Sequence, residues 1–206
     1  MLKNLIRLSV LVVVWGGMLM LPGGLALRGY GRRRQGGVTT IEDAVDVCRR
    51  QGVEGWDGVT SAQRLVNRKF TTYSTRNLWD TPSSAFARGM GYCTQYNLAL
   101  KRILDRLGFE TEAVFCLKVK VADNPEWKMG HTWLRVTVGD EVRDVCAGRV
   151  ENTPGRNGFV PLKRVWHGSE WILLLTHMGL ILYMGAIEWA AVLRGGDVPQ
   201  WTFRAN

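Results

Sequence analysis

The sequence lacks the residue spacing from which metal centres are built. Its four cysteines, Cys48, Cys93, Cys116 and Cys146, form no CxxC pair, and its three histidines do not cluster with them. We therefore predict neither a bound metal nor any other cofactor. The cysteine count leaves the redox compartment open, because a free nucleophilic Cys93 would prevent the other three from all pairing among themselves.

Nucleic-acid-binding modules are also missing, although the formal net charge is +9. Four arginines, Arg28, Arg32, Arg33 and Arg34, directly follow an apolar run, where basic residues ordinarily mark a membrane boundary. Elsewhere Lys and Arg are mixed with Asp and Glu, and no basic stripe with interleaved aromatics occurs. We predict no nucleic-acid partner.

Two long apolar runs lie near the ends of the chain. We predict an N-terminal membrane helix or signal-anchor in residues 1–27 and a C-terminal membrane helix in residues 171–193, with the bilayer as a partner. The second run contains His177 and Glu188, so a helix packed on the domain's own surface is its alternative. The basic residues flanking the runs favour a cytoplasmic domain and leave an extracytoplasmic one open.

Between the two runs the sequence predicts a basic linker in residues 28–37 and one domain in residues 38–170, and a tail follows in residues 194–206. In the domain, Thr40 with Asp43 resembles a capping box that starts a short helix. Thr60 with Gln63 repeats the pattern and predicts a second helix. Residues 73–84, which include Pro82, are predicted to form a loop.

The stretch from Gly89 to Gly108 organises the rest of the chain. Apolar residues recur there at helical spacing, and Gly108 stops the helix. Cys93 occupies the first turn, where unpaired N–H groups and the helix dipole stabilise negative charge. We therefore expect Cys93 to ionise more readily than a free thiol and to act as a nucleophile; the alternative is a buried core cysteine.

A β-hairpin supplies the candidate base. After a strand over residues 113–121, residues 131–138 and 141–146 read as two strands joined at Gly139-Asp140. His131 begins the first of them, and Asp144 on the returning strand could orient its imidazole. A two-residue turn would instead place Asp144 opposite Arg135, too far from His131 unless a bulge shifts the register; a cross-strand salt bridge is then the alternative.

Taken together, these motifs resemble a transglutaminase-like domain. They follow in order as Phe70-Thr71-Thr72-Tyr73, Trp79-Asp80-Thr81-Pro82, Gly91-Tyr92-Cys93, Gly130-His131-Thr132-Trp133 and Arg143-Asp144-Val145. The resemblance covers about residues 60 to 150. It departs from the family where Thr132 stands in place of a frequent alanine and Val145 in place of a frequent proline. The second departure weakens the assignment of Asp144.

The resemblance implies an α+β fold related to papain, with a cysteine-bearing helix packed on an antiparallel sheet, here flanked by the two predicted membrane helices. It also implies that Cys93 attacks a carbonyl, His131 moves the proton and Asp144 orients His131. The oxyanion would meet the Cys93 N–H and an upstream donor, for which Trp79 is the candidate and a packing aromatic the alternative.

The function predicted from these residues is a membrane-anchored thiol enzyme, an acyltransferase or peptidase. It would cleave or transfer peptide or protein amide groups through a thioester, and its partner would be a peptide or protein substrate. The alternative is a non-enzymatic, membrane-anchored module that keeps the fold and binds peptide or scaffolds a complex.

Overall fold

The structure, a computed structural model, describes residues 9–11, 14–18, 21, 34–122, 128–167, 170–196 and 203–205. The helices are α1 (Ile41–Gln51), α2 (Gly55–Lys69), α3 (Pro82–Arg88), α4 (Cys93–Arg106) and α5 (Glu170–Leu193). The strands are β1 (Thr72–Ser74), β2 (Met90–Gly91), β3 (Glu110–Val121), β4 (Lys128–Val138), β5 (Glu141–Val145), β6 (Phe159–Pro161), β7 (Val165–His167) and β8 (Phe203–Ala205).

The main sheet is antiparallel, with order β5-β4-β3-β6, and β7 also pairs with β3. Helix α4 packs on β3 and β4, and α1, α2 and α3 surround its other sides. A second sheet has the order β2-β1-β8. The predicted α+β class, with a cysteine-bearing helix on an antiparallel sheet, is confirmed.

Two helix boundaries differ from the sequence prediction for identifiable reasons. The Thr40–Asp43 capping box starts α1 as predicted, but α2 begins at Gly55, so Thr60 lies inside it and its hydroxyl donates to the Trp56 carbonyl. Residues 82–88 form α3 rather than a loop. Pro82 occupies the first turn, where its missing N–H costs nothing, and Thr81 caps the helix.

The hairpin turn at Gly139-Asp140 is confirmed by the pairing of Val138 with Glu141. The register of β3 against β4 shifts between Cys116 and Val119. Cys116 is fully buried, whereas Leu117, which lies at the shift, is 62 % exposed.

The predicted N-terminal membrane helix lies mostly outside the described residues, as does most of the predicted linker. Helix α5 contributes Leu173, Ile181 and Met184 to the buried core. Within the described part of the chain, no helix has both the length and the apolar character needed to cross a membrane, which leaves the two predicted spans without support.

Candidate active site

The first turn of α4 is held in place by a network around Gln95. The Gln95 side-chain oxygen accepts from the Tyr92 N–H at 3.2 Å, and its amide nitrogen donates to the carbonyls of Asn77 and Asp80 at 2.8 and 2.9 Å. Gly91 is required just before this turn, because a Cβ there would lie 2.8 Å from the Gln95 oxygen. These contacts fix the position of Cys93.

The Cys93 thiol is buried, with 6 % of the residue exposed. Burial raises the pKa of Cys93, although the N–H of Thr132, the hydroxyl and N–H of Thr94 and its own N–H all act in the opposite direction. The expectation that Cys93 ionises more readily than a free thiol is therefore wrong for this structure. The predicted donors at the helix start are present, but the loss of solvent around the sulfur outweighs them.

His131 lies on β4 between two aromatic rings. Its ring is 4.5 Å from that of Phe159, edge to face, and 6.1 Å from that of Trp133, stacked. Because burial disfavours the charged imidazolium, it lowers the pKa of His131 to about 4. The imidazole is therefore neutral at physiological pH and able to accept a proton.

The group bound to His131 is a thiol. His131 Nε2 lies 3.3 Å from the Sγ of Cys146, whose pKa burial raises to about 11. The neighbouring Cys93 raises the pKa of Cys146 further. In the described part of the chain, His131 hydrogen-bonds Cys146 rather than Cys93.

Asp144 does not meet His131. It pairs with Arg135 on β4, and its carboxylate accepts from the Arg135 Nε at 3.3 Å, with both side chains partly exposed. Arg135 is four residues from His131, roughly 13 Å along a strand. We therefore replace Asp144 with Cys146 as the neighbour of the imidazole. The cross-strand salt bridge that the turn geometry suggested for Asp144 is present.

Asn97 joins the elements of the site, a role that the sequence analysis did not assign. It lies on α4 one turn after Cys93 and is fully buried. Its amide nitrogen donates to the Thr132 carbonyl at 2.7 Å and lies 3.5 Å from Cys146 Sγ, and its oxygen accepts from the Ala147 N–H at 3.0 Å. The sequence signal that could have identified Asn97 is a polar residue four positions after the cysteine, on an otherwise apolar helix face.

Trp79 is 46 % exposed and lines a cavity of about 540 Å³ whose walls include Thr94 and Gln95, the two residues after Cys93, but not Cys93 itself. The role of its indole as an oxyanion donor stays a prediction. Cys93 instead lines a separate cavity of about 650 Å³, together with residues of β3, β4 and α5.

The site thus combines the buried sulfur of Cys93, the neutral imidazole of His131 on the adjoining strand and a cavity beside Cys93. Thr132, which follows His131, also links the two elements, since its hydroxyl lies 2.9 Å from that of Thr94. Among the described residues, no group of His, Cys, Asp and Glu side chains is arranged to hold a metal ion.

Comparison with solved structures finds similar chains, one of which is described here. No family model and no curated protein matches the sequence. A crystal structure described as that of a TGase matches at 15 % identity with a TM-score of 0.43. The match covers 54 % of this chain and 31 % of that chain, so this chain spans about a third of the length of the neighbour.

Proposed function

We propose that this protein is a thiol enzyme that cleaves or transfers peptide or protein amide groups through a thioester on Cys93. The observation that carries the proposal is the position of the Cys93 sulfur. It lies at the start of a buried helix, against the N–H of the residue after His131, and on the wall of a cavity large enough for a substrate side chain.

The chemistry follows from the two neutral groups. As the Cys93 sulfur attacks the amide carbonyl, its proton passes to His131, and the oxyanion forms near the N–H groups at the start of α4. The C–N bond then breaks, the amine leaves with the proton from His131, and an acyl thioester remains. Water, or a second amine, attacks the thioester while His131 accepts its proton, and this step restores the thiol.

Cys146 Sγ lies where it can accept a hydrogen bond from the Nε2–H tautomer of His131. When Nε2–H donates to Cys146 Sγ, the Nδ1 atom is free to accept the proton of Cys93. A neutral thiol supplies orientation but no negative charge, so it does not stabilise the imidazolium as a carboxylate would. The resting site therefore holds a neutral thiol and a neutral imidazole, and the proton moves only as the carbonyl is attacked.

The proposal is tested by acylating the full-length protein with p-nitrophenyl acetate at neutral pH and locating the acetyl group by peptide mass spectrometry. We expect a thioester on Cys93 and release of p-nitrophenolate. Cys93→Ala should abolish both, and His131→Ala should slow both about 10²–10⁴-fold. Cys48→Ala is the matched control, since Cys48 is also buried but lies on α1. Equal acylation of Cys93 and Cys48 would overturn the proposal.

A non-enzymatic, peptide-binding module is the second candidate. Two observations favour this candidate. A thiol rather than a carboxylate lies next to His131, and Cys93 is buried. This candidate predicts that the folded protein binds peptides with equal affinity in the wild type and in Cys93→Ala, while no Cys93 thioester forms.

Membrane anchoring through the two apolar runs, and a cytoplasmic position of the domain, stay predictions. Protease accessibility of the domain in intact cells, compared with lysed cells, tests the side of the membrane. Cleavage in intact cells would contradict a cytoplasmic domain.

A further inference from the structure

The cavity at Cys93 lies between the main sheet and α5. Phe115 and Leu117 of β3 and Met129 of β4 form one wall, and Gly179, Leu180 and Tyr183 of α5 form the opposite wall. Cys93 lies between the two walls. None of the described residues that line this cavity is Asp, Glu, Lys or Arg.

His177 attaches α5 at this position. Its Nε2 donates to the carbonyl of Leu78, and its Nδ1 accepts from the hydroxyl of Tyr92, the residue before Cys93. Two hydrogen bonds from one ring therefore fix the helix beside the first turn of α4. Helix α5 therefore forms part of the candidate active site.

The walls expose large apolar groups toward open space. Leu117 is 62 % exposed and Tyr183 is 60 % exposed. Leu117 lies where the register of β3 against β4 shifts, between the buried residues Cys116 and Val119. An apolar ligand side chain would cover these surfaces, whereas a charged one would lose its hydration without finding a counter-charge on the described walls.

We infer that this cavity is the specificity pocket of the site and that it accepts an uncharged, apolar side chain next to the carbonyl that Cys93 attacks. The inference rests on the proposed function and adds the class of substrate to it. The cavity of about 650 Å³ falls in the range of about 300–1,000 Å³ that small-ligand pockets span, so a leucine- or phenylalanine-sized group fits inside it.

Gly179 sets the size of the pocket. It lines the cavity, and a Cβ built on it meets no atom within 4 Å. A larger residue at this position would therefore fit on α5 without a clash and would extend into the space that a substrate side chain occupies. Leu182, on the exposed side of the same helix, does not line the cavity and offers a matched control.

The test measures the rate at which N-acetyl aminoacyl chloromethyl ketones alkylate Cys93 in the full-length protein. In this reaction the sulfur displaces chloride, a C–S bond replaces the C–Cl bond, and the thiol proton leaves with the chloride as HCl. Reagents built on Leu and Phe should react at least about 10-fold faster than those built on Lys and Glu, because only the apolar groups gain from burial.

Gly179→Phe should slow the Phe reagent to the rate of the Gly reagent and leave the Gly reagent unchanged, and the unchanged rate also reports that the variant folds. Leu182→Phe should change neither. Equal rates for the Leu and Lys reagents, or no effect of Gly179→Phe on the Phe reagent, would overturn the pocket while leaving Cys93 as the nucleophile. If no reagent alkylates Cys93 in the folded protein, the proposed function falls and the pocket with it.

Discussion

The burial of His131 predicts that the protein loses stability in mildly acidic solution. The pKa of His131 is lowered from its usual 6.5 to about 4 in the folded protein. Between these values the unfolded chain binds a proton that the folded chain does not. The stabilisation is therefore complete above the unfolded pKa, and it decreases as the pH falls from 6.5 to about 4.

The size of this effect follows from the difference between the two pKa values. Lowering the pKa of His131 from 6.5 to about 4 is a difference of about 2.5 units, and each unit corresponds to about 1.4 kcal/mol. The free energy of unfolding should therefore drop by about 3–4 kcal/mol through His131 alone. That is a large fraction of the roughly 5–15 kcal/mol that stabilises a typical domain.

Urea unfolding of the full-length protein between about pH 7.5 and about pH 4.5 measures this loss. His131→Gln keeps a polar side chain but cannot titrate, so its free energy of unfolding should depend much less on pH. Hydrogen bonds lower the pKa values of Asp43 and Glu141, so both residues lose their stabilisation as the pH falls toward and below their usual range. This loss is the same in both proteins, so it cancels when the wild type is compared with His131→Gln. Identical pH dependence in the two proteins would refute the argument from burial.

Three further predictions concern single residues. Asp144→Asn removes one side of a partly exposed ion pair, so it should change the free energy of unfolding by less than about 1 kcal/mol and leave the rate of Cys93 acylation unchanged; a large loss of rate would restore Asp144 to the site. Phe159→Ala opens the ring contact that buries the imidazole, so NMR titration should show the pKa of His131 rising toward its usual value, and an unchanged pKa would contradict the assigned cause. Asn97→Leu leaves buried backbone groups unpaired, at about 1–3 kcal/mol each, and urea unfolding should show a clear loss; a neutral effect would mean that Asn97 does not join the site.

Short sequence patterns were sufficient to predict the helix and the hairpin on which the candidate site lies. The position of Cys93 at a helix start follows from Gly91 and the apolar periodicity after it, and the turn at Gly139-Asp140 follows from its residue types. Pro82 was ambiguous, because proline both ends a preceding helix and favours the first turn of a new one.

The neighbour of His131 was harder to identify from the sequence, although the pairing of β4 with β5 brings Cys146 close to it. Once the turn places Asp144 opposite Arg135 and Val145 opposite Leu134, the next residue, Cys146, approaches His131 from the returning strand. A thiol is not the expected orienting group, so residue type alone pointed to the carboxylate.

The burial of Cys93 and the exposure of Leu117 could not be predicted from the sequence. The same donors at the start of α4 would lower the pKa of Cys93 in an open site, whereas packing against β4 and the rest of the core raises it. The exposed Leu117 lies at a register shift within β3, which no residue pattern marks.

The pH dependence of Cys93 acylation tests the central claim most directly. With a neutral imidazole as the base, the rate in the wild type should be nearly constant between about pH 5.5 and about pH 8, because His131 is already deprotonated throughout this range. In His131→Ala only the thiolate reacts, so the rate should rise about tenfold per pH unit. A wild-type rate that rises as steeply as that of His131→Ala would contradict the account.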